Sequence, residues 1–386
     1  MASIASSLSL PVTTSFGGAH TLWWPPSTSA PRVVLLFIPG NPGVASYYMD
    51  FLHSIYTSTR LNQRGIEIVA VSHRGHARLD DLATNTAQAK SHASMRYGSL
   101  CDQVQHKLAV LDAIHEQYNA EQHNTDVVIV GHSIGAWIAT QVVKARPKHV
   151  QALHLLFPTL AWIGSTPNAR RISLLCHALT MRLLCVALFL LSLLPVCVVV
   201  WMVSLITRQP VRAALATAHL LTTRGAVRNA LHMATDEFAT VQQLDAPTIE
   251  AIDTFTEQPR AYLRSYWAPR DTDGWAPEWI RTQVESALRL HHVHLPRSLQ
   301  LDTPHTLVPP RSLSLQPIAS LAIPNPNPTP VPQSTQSQSQ THPHHPLPNR
   351  SSTHCKLAIP HAFCLHHSHH LANIVAYWIT TDHIDT

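Results

Sequence analysis

The chain has 386 residues, of which 45% are apolar and only 13% are charged. That charged fraction is about half of the roughly 25% found in ordinary globular proteins, which disfavours a purely soluble protein. The formal charge is +5, but Lys and Arg form no dense basic block, so nucleic-acid binding gains little support. The six cysteines form no CxxC pair, which argues against a disulfide framework or a zinc ribbon. The first twelve residues lack the basic start and apolar run of a secretory signal.

Short apolar runs alternate with longer helical segments along the first half of the chain. Four runs are bounded by turn residues and lack polar alternation, as strands buried on both faces should be: Val33–Ile38 and residues 67–71, 127–130 and 153–157. Between the second and third runs, Leu100–Tyr118 places apolar residues at three- and four-residue steps, which predicts an amphipathic helix. This order of elements predicts an α/β fold with a mostly parallel sheet covered by helices on both faces.

Residues 183–207 form a run of 25 uncharged residues, with Pro195 at its centre. A helix of that length would reach roughly 37 Å, enough to cross a membrane once. A single crossing is disfavoured because it would put strands of one sheet on opposite sides of the membrane. Two crossings are excluded because each arm around Pro195 has 12 residues, against the roughly 20 required. We therefore expect a kinked hairpin or in-plane helix that dips into one leaflet or an oil-droplet monolayer. The alternative is an apolar core helix of a cap.

Residues 291–353 differ in composition from the rest of the chain, because 13 of the 29 prolines lie between Pro296 and Pro348. With so few apolar residues the segment cannot bury enough apolar surface to offset the entropy that it would lose on ordering. It is therefore expected to be disordered, with transient polyproline II structure. A Pro-rich ligand for another protein and a retained intron or faulty gene model are the alternatives.

The motif G-x-S-x-G occurs at residues 131–135, between the run at 127–130 and a helical stretch at 136–144. In this context it predicts a nucleophile elbow, with Ser133 as the nucleophile and Gly131, His132 and Gly135 completing the turn. Side chains at the two glycine positions would collide where the strand reverses sharply into the helix.

A nucleophilic serine needs donors for the oxyanion of its tetrahedral intermediate. The backbone N–H of Ile134 is the first candidate. The loop at residues 39–43, Pro-Gly-Asn-Pro-Gly, follows the first strand, and Asn41 is its better donor because Pro42 has no N–H.

The general base must be chosen among 28 histidines, so position has to decide. His361 follows a short apolar run at residues 357–359 and precedes a predicted helix at residues 371–379. The cluster of His366, His367, His369 and His370 lacks interleaved carboxylates or cysteines, so a solvated helix start is favoured over a metal site.

The orienting acid is expected after the nucleophile and before the base. Asp271 and Asp273 both follow a predicted strand at Tyr262–Trp267 and remain alternatives on this ground alone. Asp236, Glu237 and Asp245 lie in helical surroundings and are expected at the surface.

Several of these motifs together resemble the lipid droplet-associated serine hydrolase family of the α/β-hydrolase superfamily. The resemblance covers residues 33–273 and resumes near residue 356. The motifs that carry it are FIPGNPG with the following YY, SHRGH (72–76), LCDQVQHK (100–107), GHSIGA, the D-x-W of Asp273 and Trp275, and PHAFCLHHS (360–368). It implies an α/β-hydrolase fold with an apolar helical cap, Ser133 as nucleophile, Asp273 as acid and His361 as base. It further implies association with lipid droplets and the endoplasmic reticulum.

The predicted division of the chain has six parts. They are an N-terminal segment (1–30), the first part of the core (31–165), a cap with the membrane-associating segment (166–255), the second part of the core (256–290), the disordered insert (291–353) and the C-terminal core element with the histidine (354–386). Because 88 positions separate Asp273 from His361, the base can dock only if the insert is a loop and has not replaced a strand.

The resulting hypothesis is a serine hydrolase that cleaves carboxylic esters of hydrophobic lipids, of the sterol ester or acylglycerol type, through an acyl-enzyme. It would act on the cytosolic face of lipid droplets or the endoplasmic reticulum membrane and would need no metal or organic cofactor. The alternatives are a catalytically inactive hydrolase-fold protein that binds or organises lipid droplets, and a soluble small-ester hydrolase with an ordinary helical cap.

Overall fold

A nine-stranded sheet organises the computed structural model, which describes residues 10–28, 30–77, 99–118, 125–269, 272–300 and 348–384. In chain order its strands are β1 (Val12–Phe16), β2 (Ala19–Trp24), β3 (Val33–Ile38), β4 (Ile66–Val71), β5 (Asp126–His132), β6 (Ala152–Leu156), β7 (Tyr262–Trp267), β8 (His291–His292) and β9 (Arg350–His354). The spatial order is β1-β2-β4-β3-β5-β6-β7-β9-β8. The first two pairings, β1 with β2 and β2 with β4, are antiparallel, and the others are parallel. The prediction of a mostly parallel sheet is confirmed.

The strands predicted from apolar runs lie in the middle of this sheet. Every residue of β3 is buried, but successive side chains enter different cores: Val34 and Leu36 pack on one face, Leu35 and Phe37 on the other. A strand covered on both faces has no polar side, which explains why the run shows no alternation in sequence.

Helices cover both faces of the sheet, as predicted. Their bounds are α1 (Met49–Tyr56), α2 (Thr59–Arg64), α3 (Leu100–Tyr118), α4 (Ile134–Ala145), α5 (Pro167–Ser173), α6 (Ala178–Leu191), α7 (Val196–Thr207), α8 (Val211–Thr222), α9 (Ala226–Thr240), α10 (Ala246–Thr256), α11 (Glu278–Ala287), α12 (Arg297–Gln300) and α13 (Ser368–Ile379). Helices α3, α4, α10 and α11 contribute to the core on one face, whereas α1 and α13 pack on the other.

The N-terminal segment predicted over residues 1–30 contains a β-hairpin that its sequence pattern does not reveal. Strands β1 and β2 are joined at Gly17 and Gly18, both of which have positive φ angles (54° and 77°) that favour glycine. Strand β1 reads Val-Thr-Thr-Ser-Phe and has no buried residue, so apolar periodicity gives no signal there.

The boundaries predicted for the disordered insert, residues 291–353, are wrong at both ends. Strand β8 and helix α12 lie at its start, and β9 lies at its end, paired parallel to β7 from Leu263 with Arg350 to Trp267 with His354. The β9 sequence, Arg-Ser-Ser-Thr-His, is polar, so it joins the sheet through backbone pairing and side-chain hydrogen bonds rather than apolar burial. The predicted disorder of residues 301–347 lies outside the described residues.

Six α-helices, α5 to α10, stand between β6 and β7, in the stretch predicted as the cap. The uncharged segment 183–207 forms most of α6 and all of α7, which are separated around Pro195, in agreement with the expected kink. Within the described part of the chain none of the 14 residues of α6 is buried, and α7 buries only Val199 and Val203. The alternative of an apolar core helix is therefore wrong.

Exposed apolar side chains cover these two helices. The exposed fraction reaches 67% at Leu193, 65% at Trp201 and 75% at Ile206. Among the described residues no single helix has both the length and the hydropathy to cross a membrane, whereas two bent pairs do, α5 with α6 (73°) and α7 with α8 (117°). We refer to α6 and α7 with their connection as the apolar helix pair.

Candidate active site

Ser133 lies at the sharp turn between the end of β5 and the start of α4. Its backbone has φ 55° and ψ −124°, a strained conformation for a residue other than glycine. A Cβ on Gly131 would lie 2.6 Å from the carbonyl oxygen of Gly135, and a Cβ on Gly135 would lie 2.2 Å from that of Ile38. Both glycines are therefore required sterically, as predicted from the motif.

His361 forms hydrogen bonds with both of the other predicted triad residues. Its Nε2 lies 2.8 Å from Ser133 Oγ, and its Nδ1 lies 2.7 Å from Asp273 Oδ2. A carboxylate accepts only, so Nδ1 carries the proton and Nε2 is left to accept the serine hydroxyl hydrogen. Asp271, the alternative acid, lies outside the described residues.

Asp273 is held as an anion in a nearly dry environment. Burial by itself would raise the pKa of its carboxyl group. The imidazole of His361 and the backbone N–H groups of Trp275 and Ala276 outweigh that effect, so the pKa is lowered overall. The N–H of Trp275 lies 2.8 Å from Oδ1, which leaves Oδ2 to face the imidazole. The carboxylate is thus positioned to stabilise an imidazolium.

The topology of the sheet explains how residues so distant in sequence meet. Ser133 follows β5, Asp273 follows β7 and His361 follows β9, and these three strands run parallel in one sheet. The carboxyl ends of parallel strands share one edge of the sheet, where the three side chains lie together. Since β9 is present, the 87 residues between Asp273 and His361 do not prevent His361 from docking.

The two predicted oxyanion donors occupy different positions around Ser133. Ile134 is the first residue of α4, so its N–H is one of the first-turn donors without an intrahelical acceptor. The loop at residues 39–43 lies directly against the nucleophile, because a Cβ on Gly40 would be 2.8 Å from Ser133 Cβ. Asn41 is the next residue of that loop, and its backbone N–H remains a predicted donor.

A chain of hydrogen bonds joins the loops around the nucleophile, and Tyr48 is at its centre. The Tyr48 hydroxyl accepts from the N–H of Gly40 (3.3 Å) and lies 2.7 Å from His132 Nδ1, while His132 Nε2 lies 2.9 Å from the carbonyl oxygen of His361. A carbonyl only accepts, so His132 donates from Nε2 and its Nδ1 accepts the tyrosine proton.

His132 stays neutral within this chain of hydrogen bonds. Burial and the charge of the neighbouring His361 lower the pKa of His132 to about 3, although its hydrogen bond to the His361 carbonyl acts in the opposite direction. Burial also raises the pKa of Tyr48 well above its usual value, so the phenol keeps its proton. Sequence reasoning places His132 in the elbow but does not identify Tyr48, whose only signal is the Tyr-Tyr pair after the loop.

The prediction that Glu237 lies at the surface is wrong. Its side chain is buried, at 5% exposure, and its Oε1 accepts a hydrogen bond from Asn41 Nδ2. Ala230, Met233 and Ala234 are buried at positions seven, four and three residues earlier, a spacing that marks the inner face of the helix. The same prediction is confirmed for Asp245, which is exposed, whereas Asp236 is half-buried, and both have structural roles.

Both of those aspartates accept backbone N–H groups at the starts of helices. Asp236 accepts from Leu100 (2.6 Å) at the start of α3, and Asp245 accepts from Thr248 (3.0 Å) as the N-cap of α10. Among the described residues no three His, Cys, Asp or Glu side chains are grouped so as to hold a metal ion.

Comparisons with known proteins point to one family. A family model described as lipid-droplet associated hydrolase matches residues 31–307. The human lipid droplet-associated hydrolase is 32% identical over 149 residues, which span 37% of this chain and 43% of the human protein. The chain therefore matches less than half the length of that relative. The protein of the same name from Gallus gallus is 30% identical over 233 residues, covering 58% of this chain and 67% of the relative.

Solved structures similar to this one are distant in sequence. The thioesterase domain from the curacin biosynthetic pathway is 14% identical with a TM-score of 0.49, and the match covers 95% of this chain and 98% of that domain. A peroxisomal alpha-beta-hydrolase from Saccharomyces cerevisiae is 12% identical with a TM-score of 0.45, over 70% and 72% of the two chains. The mostly parallel sheet with helices on both of its faces gives the protein an α/β fold. Because the family model spans more than half of the chain, the protein belongs to the lipid-droplet associated hydrolase family.

Proposed function

We propose that this hydrolase is a serine esterase that cleaves esters of hydrophobic lipids at the surface of a lipid droplet or the endoplasmic reticulum. The observation that carries the proposal is the pair of hydrogen bonds made by His361, to Ser133 Oγ on one side and Asp273 on the other. A serine, an imidazole and a carboxylate in this order supply the nucleophile, the general base and the orienting acid of acyl transfer.

Each step of the reaction follows from this arrangement. Ser133 Oγ attacks the ester carbonyl carbon while its proton passes to His361 Nε2, and Asp273 stabilises the resulting imidazolium. The backbone N–H groups of Ile134 and Asn41 stabilise the oxyanion. The leaving alcohol takes the proton from Nε2, which leaves the acyl group on Ser133. Water, deprotonated by the same nitrogen, then hydrolyses the acyl-enzyme.

The apolar helix pair supports a lipid surface as the place of action. Its side chains leave a large apolar area exposed, which a soluble protein would normally cover. Residues 127–235 contain no Asp or Glu, and three arginines are exposed at the pair, Arg182 within α6 and Arg171 and Arg208 beside it. Apolar side chains flanked by arginines suit a phospholipid monolayer, with the arginines at the level of the phosphates. Sterol esters or acylglycerols stored beneath such a monolayer are the proposed substrates.

A fluorophosphonate probe tests the chemistry, because it phosphonylates an activated serine. Wild-type protein should be labelled, Ser133→Ala should lose all labelling, and the matched variant Ser192→Ala, at an exposed serine in the apolar helix pair, should be labelled like wild type. Equal labelling of Ser133→Ala would overturn the proposal. His361→Ala should abolish hydrolysis of a short-chain ester; an inactive scaffold, the alternative predicted from sequence, would show no difference between variant and wild type.

A flotation experiment tests the surface separately. Replacing Leu183, Val186, Phe189 and Leu190 by Gln removes exposed apolar area without touching the triad. The variant should no longer float with triolein droplets coated in phosphatidylcholine, yet should hydrolyse a water-soluble ester at the wild-type rate. Unchanged flotation would contradict the placement of the lipid-binding surface.

A further inference from the structure

The side chain of Asn41 is held by the helix α9, which belongs to the insertion between β6 and β7. Its Nδ2 lies 2.9 Å from the carbonyl oxygen of Ala230 and 2.9 Å from Oε1 of Glu237. These two acceptors are seven residues, or about two turns, apart on one helix, so they lie on the same face. An amide nitrogen has two hydrogens, and each is directed to one acceptor.

The loop that carries Asn41 is restrained at its neighbouring residue as well. The N–H of Gly40 donates to the Tyr48 hydroxyl, and Gly40 lies against Ser133. With Gly40 held from the core and the Asn41 side chain held from α9, the intervening peptide has little freedom to rotate. The direction of the Asn41 N–H, the predicted oxyanion donor, depends on both attachments.

We propose that Glu237 is a positioning residue for the oxyanion loop, because it anchors the Asn41 side chain and thereby aims the Asn41 backbone N–H at the oxyanion. Glu237 itself does not touch the reacting atoms. The inference rests on the proposed esterase function and adds a contribution from α9 to it.

The environment of Glu237 suits a neutral acceptor. Burial raises the pKa of Glu237 to about 8, and the charge of Asp236 acts in the same direction, whereas the hydrogen bond from Asn41 lowers it. At pH 7 the carboxyl group therefore accepts the amide hydrogen without adding a negative charge beside a site that must stabilise an oxyanion. Above pH 8 Glu237 would be ionised, and its negative charge would lie in the same buried region as the negative charge of the oxyanion.

Two substitutions separate anchoring from simple packing. Glu237→Gln keeps an acceptor oxygen at every pH, whereas Glu237→Leu removes the acceptor but fills the space. The matched control is Glu250→Gln, which removes a carboxylate from an exposed position on α10. The measurements are kcat and KM for a water-soluble p-nitrophenyl ester from pH 6 to 9.5, and the extent of labelling by a fluorophosphonate at saturation, which counts competent serines.

We expect Glu237→Leu to lower kcat about 10- to 100-fold with little change in KM, less than the 100- to 1,000-fold that removal of a whole oxyanion donor costs. Glu237→Gln should keep the wild-type kcat at pH 7 within about threefold and lose the decline that wild type shows above about pH 8. Glu250→Gln should match wild type at every pH.

The outcomes that overturn the inference differ from failure of the proposed function. If wild type hydrolyses the ester and Ser133→Ala does not, the esterase function stands. In that case a Glu237→Leu variant with wild-type kcat, or a Glu237→Gln variant as impaired as Glu237→Leu, refutes the positioning role. Should Glu237→Leu fail to fold, the pH profile of Glu237→Gln decides alone: an unchanged decline above pH 8 refutes it. If wild type itself is neither labelled nor active, the proposed function is wrong.

Discussion

His361 Nε2 lies 2.8 Å from Ser133 Oγ, although 228 positions separate the two residues in the chain. The contact depends on β9, the polar strand that returns the chain to the sheet after the insert and leads into the loop of His361. The buried Arg264 and the half-buried Glu285 hold the serines of this strand through hydrogen bonds. The position of His361 is therefore set by an element that carries almost no apolar signal.

Asp273→Asn should leave the site assembled but reverse the tautomer of His361. An amide nitrogen facing Nδ1 favours a proton on Nε2, which then cannot accept the serine proton. We expect kcat for a soluble ester to fall roughly 10³- to 10⁴-fold with KM nearly unchanged, as in the comparable substitution of other serine triads. Asp271→Asn, the matched control at the other candidate acid, should stay within about twofold of wild type. The opposite ranking of the two variants would assign the acid to Asp271.

Tyr48→Phe should weaken both the fold and the catalytic site. The change removes the proton that His132 Nδ1 accepts and the oxygen that accepts from the Gly40 N–H, so two buried polar groups lose their partner. We expect the free energy of unfolding, measured in urea, to fall by about 1–3 kcal/mol, together with a lower kcat.

The neighbouring tyrosine provides a control for that substitution. The Tyr47 hydroxyl makes its hydrogen bond to Thr217 instead of His132. Tyr47→Phe should therefore leave kcat close to wild type. Similar losses of kcat in both variants would indicate that the chain through His132 does not position the site.

Glu237 should make the stability of the protein decrease as the pH rises. Its pKa is raised from 4.5 to about 8 in the folded state, so between these values the unfolded chain loses a proton that the folded protein retains. The free energy of unfolding therefore falls with rising pH across this window. Below pH 4.5 the carboxyl group is protonated in both states, so this pH dependence disappears.

Glu237→Gln removes that titration. The difference in free energy of unfolding between the variant and wild type should grow by on the order of 3 kcal/mol from pH 4.5 to pH 8. This figure takes about 1.4 kcal/mol per unit of pKa shift and is reduced because the protein relaxes around the buried group. Urea denaturation at both pH values measures the difference. A gain that is the same at the two pH values would mean that Glu237 titrates normally in the folded protein.

Arg264 of β7 and Asp382 form a buried ion pair, with side-chain exposures of 0% and 2% and an N–O distance of 2.6 Å. Asp382→Ala would leave the guanidinium charge buried without its carboxylate, so we expect a loss of about 3–5 kcal/mol in the free energy of unfolding. Asp112→Ala breaks the pair with Arg146, in which both side chains are 41% exposed, and should cost at most about 1 kcal/mol. Equal losses in thermal or urea unfolding would contradict this assignment.

Much of the site could be predicted from sequence because its signals are local. The elbow around Ser133 needs glycines within two residues of the serine, a steric requirement that appears directly as a motif. Strands such as β3 are continuous apolar runs because they are buried on both faces, and α3 shows helical periodicity because one of its faces packs on the sheet.

Only the tertiary structure decided the contacts between residues that are distant in the chain. Strand β9 is polar, so it is recognised only by its pairing with β7. Glu237 is an ordinary helical acid until α9 packs against the loop of Asn41, and Tyr48 becomes part of the site only because its hydroxyl lies between Gly40 and His132. Local sterics and periodicity are encoded within a few residues, whereas the burial of a polar group and its partner across the fold depend on how the whole chain packs.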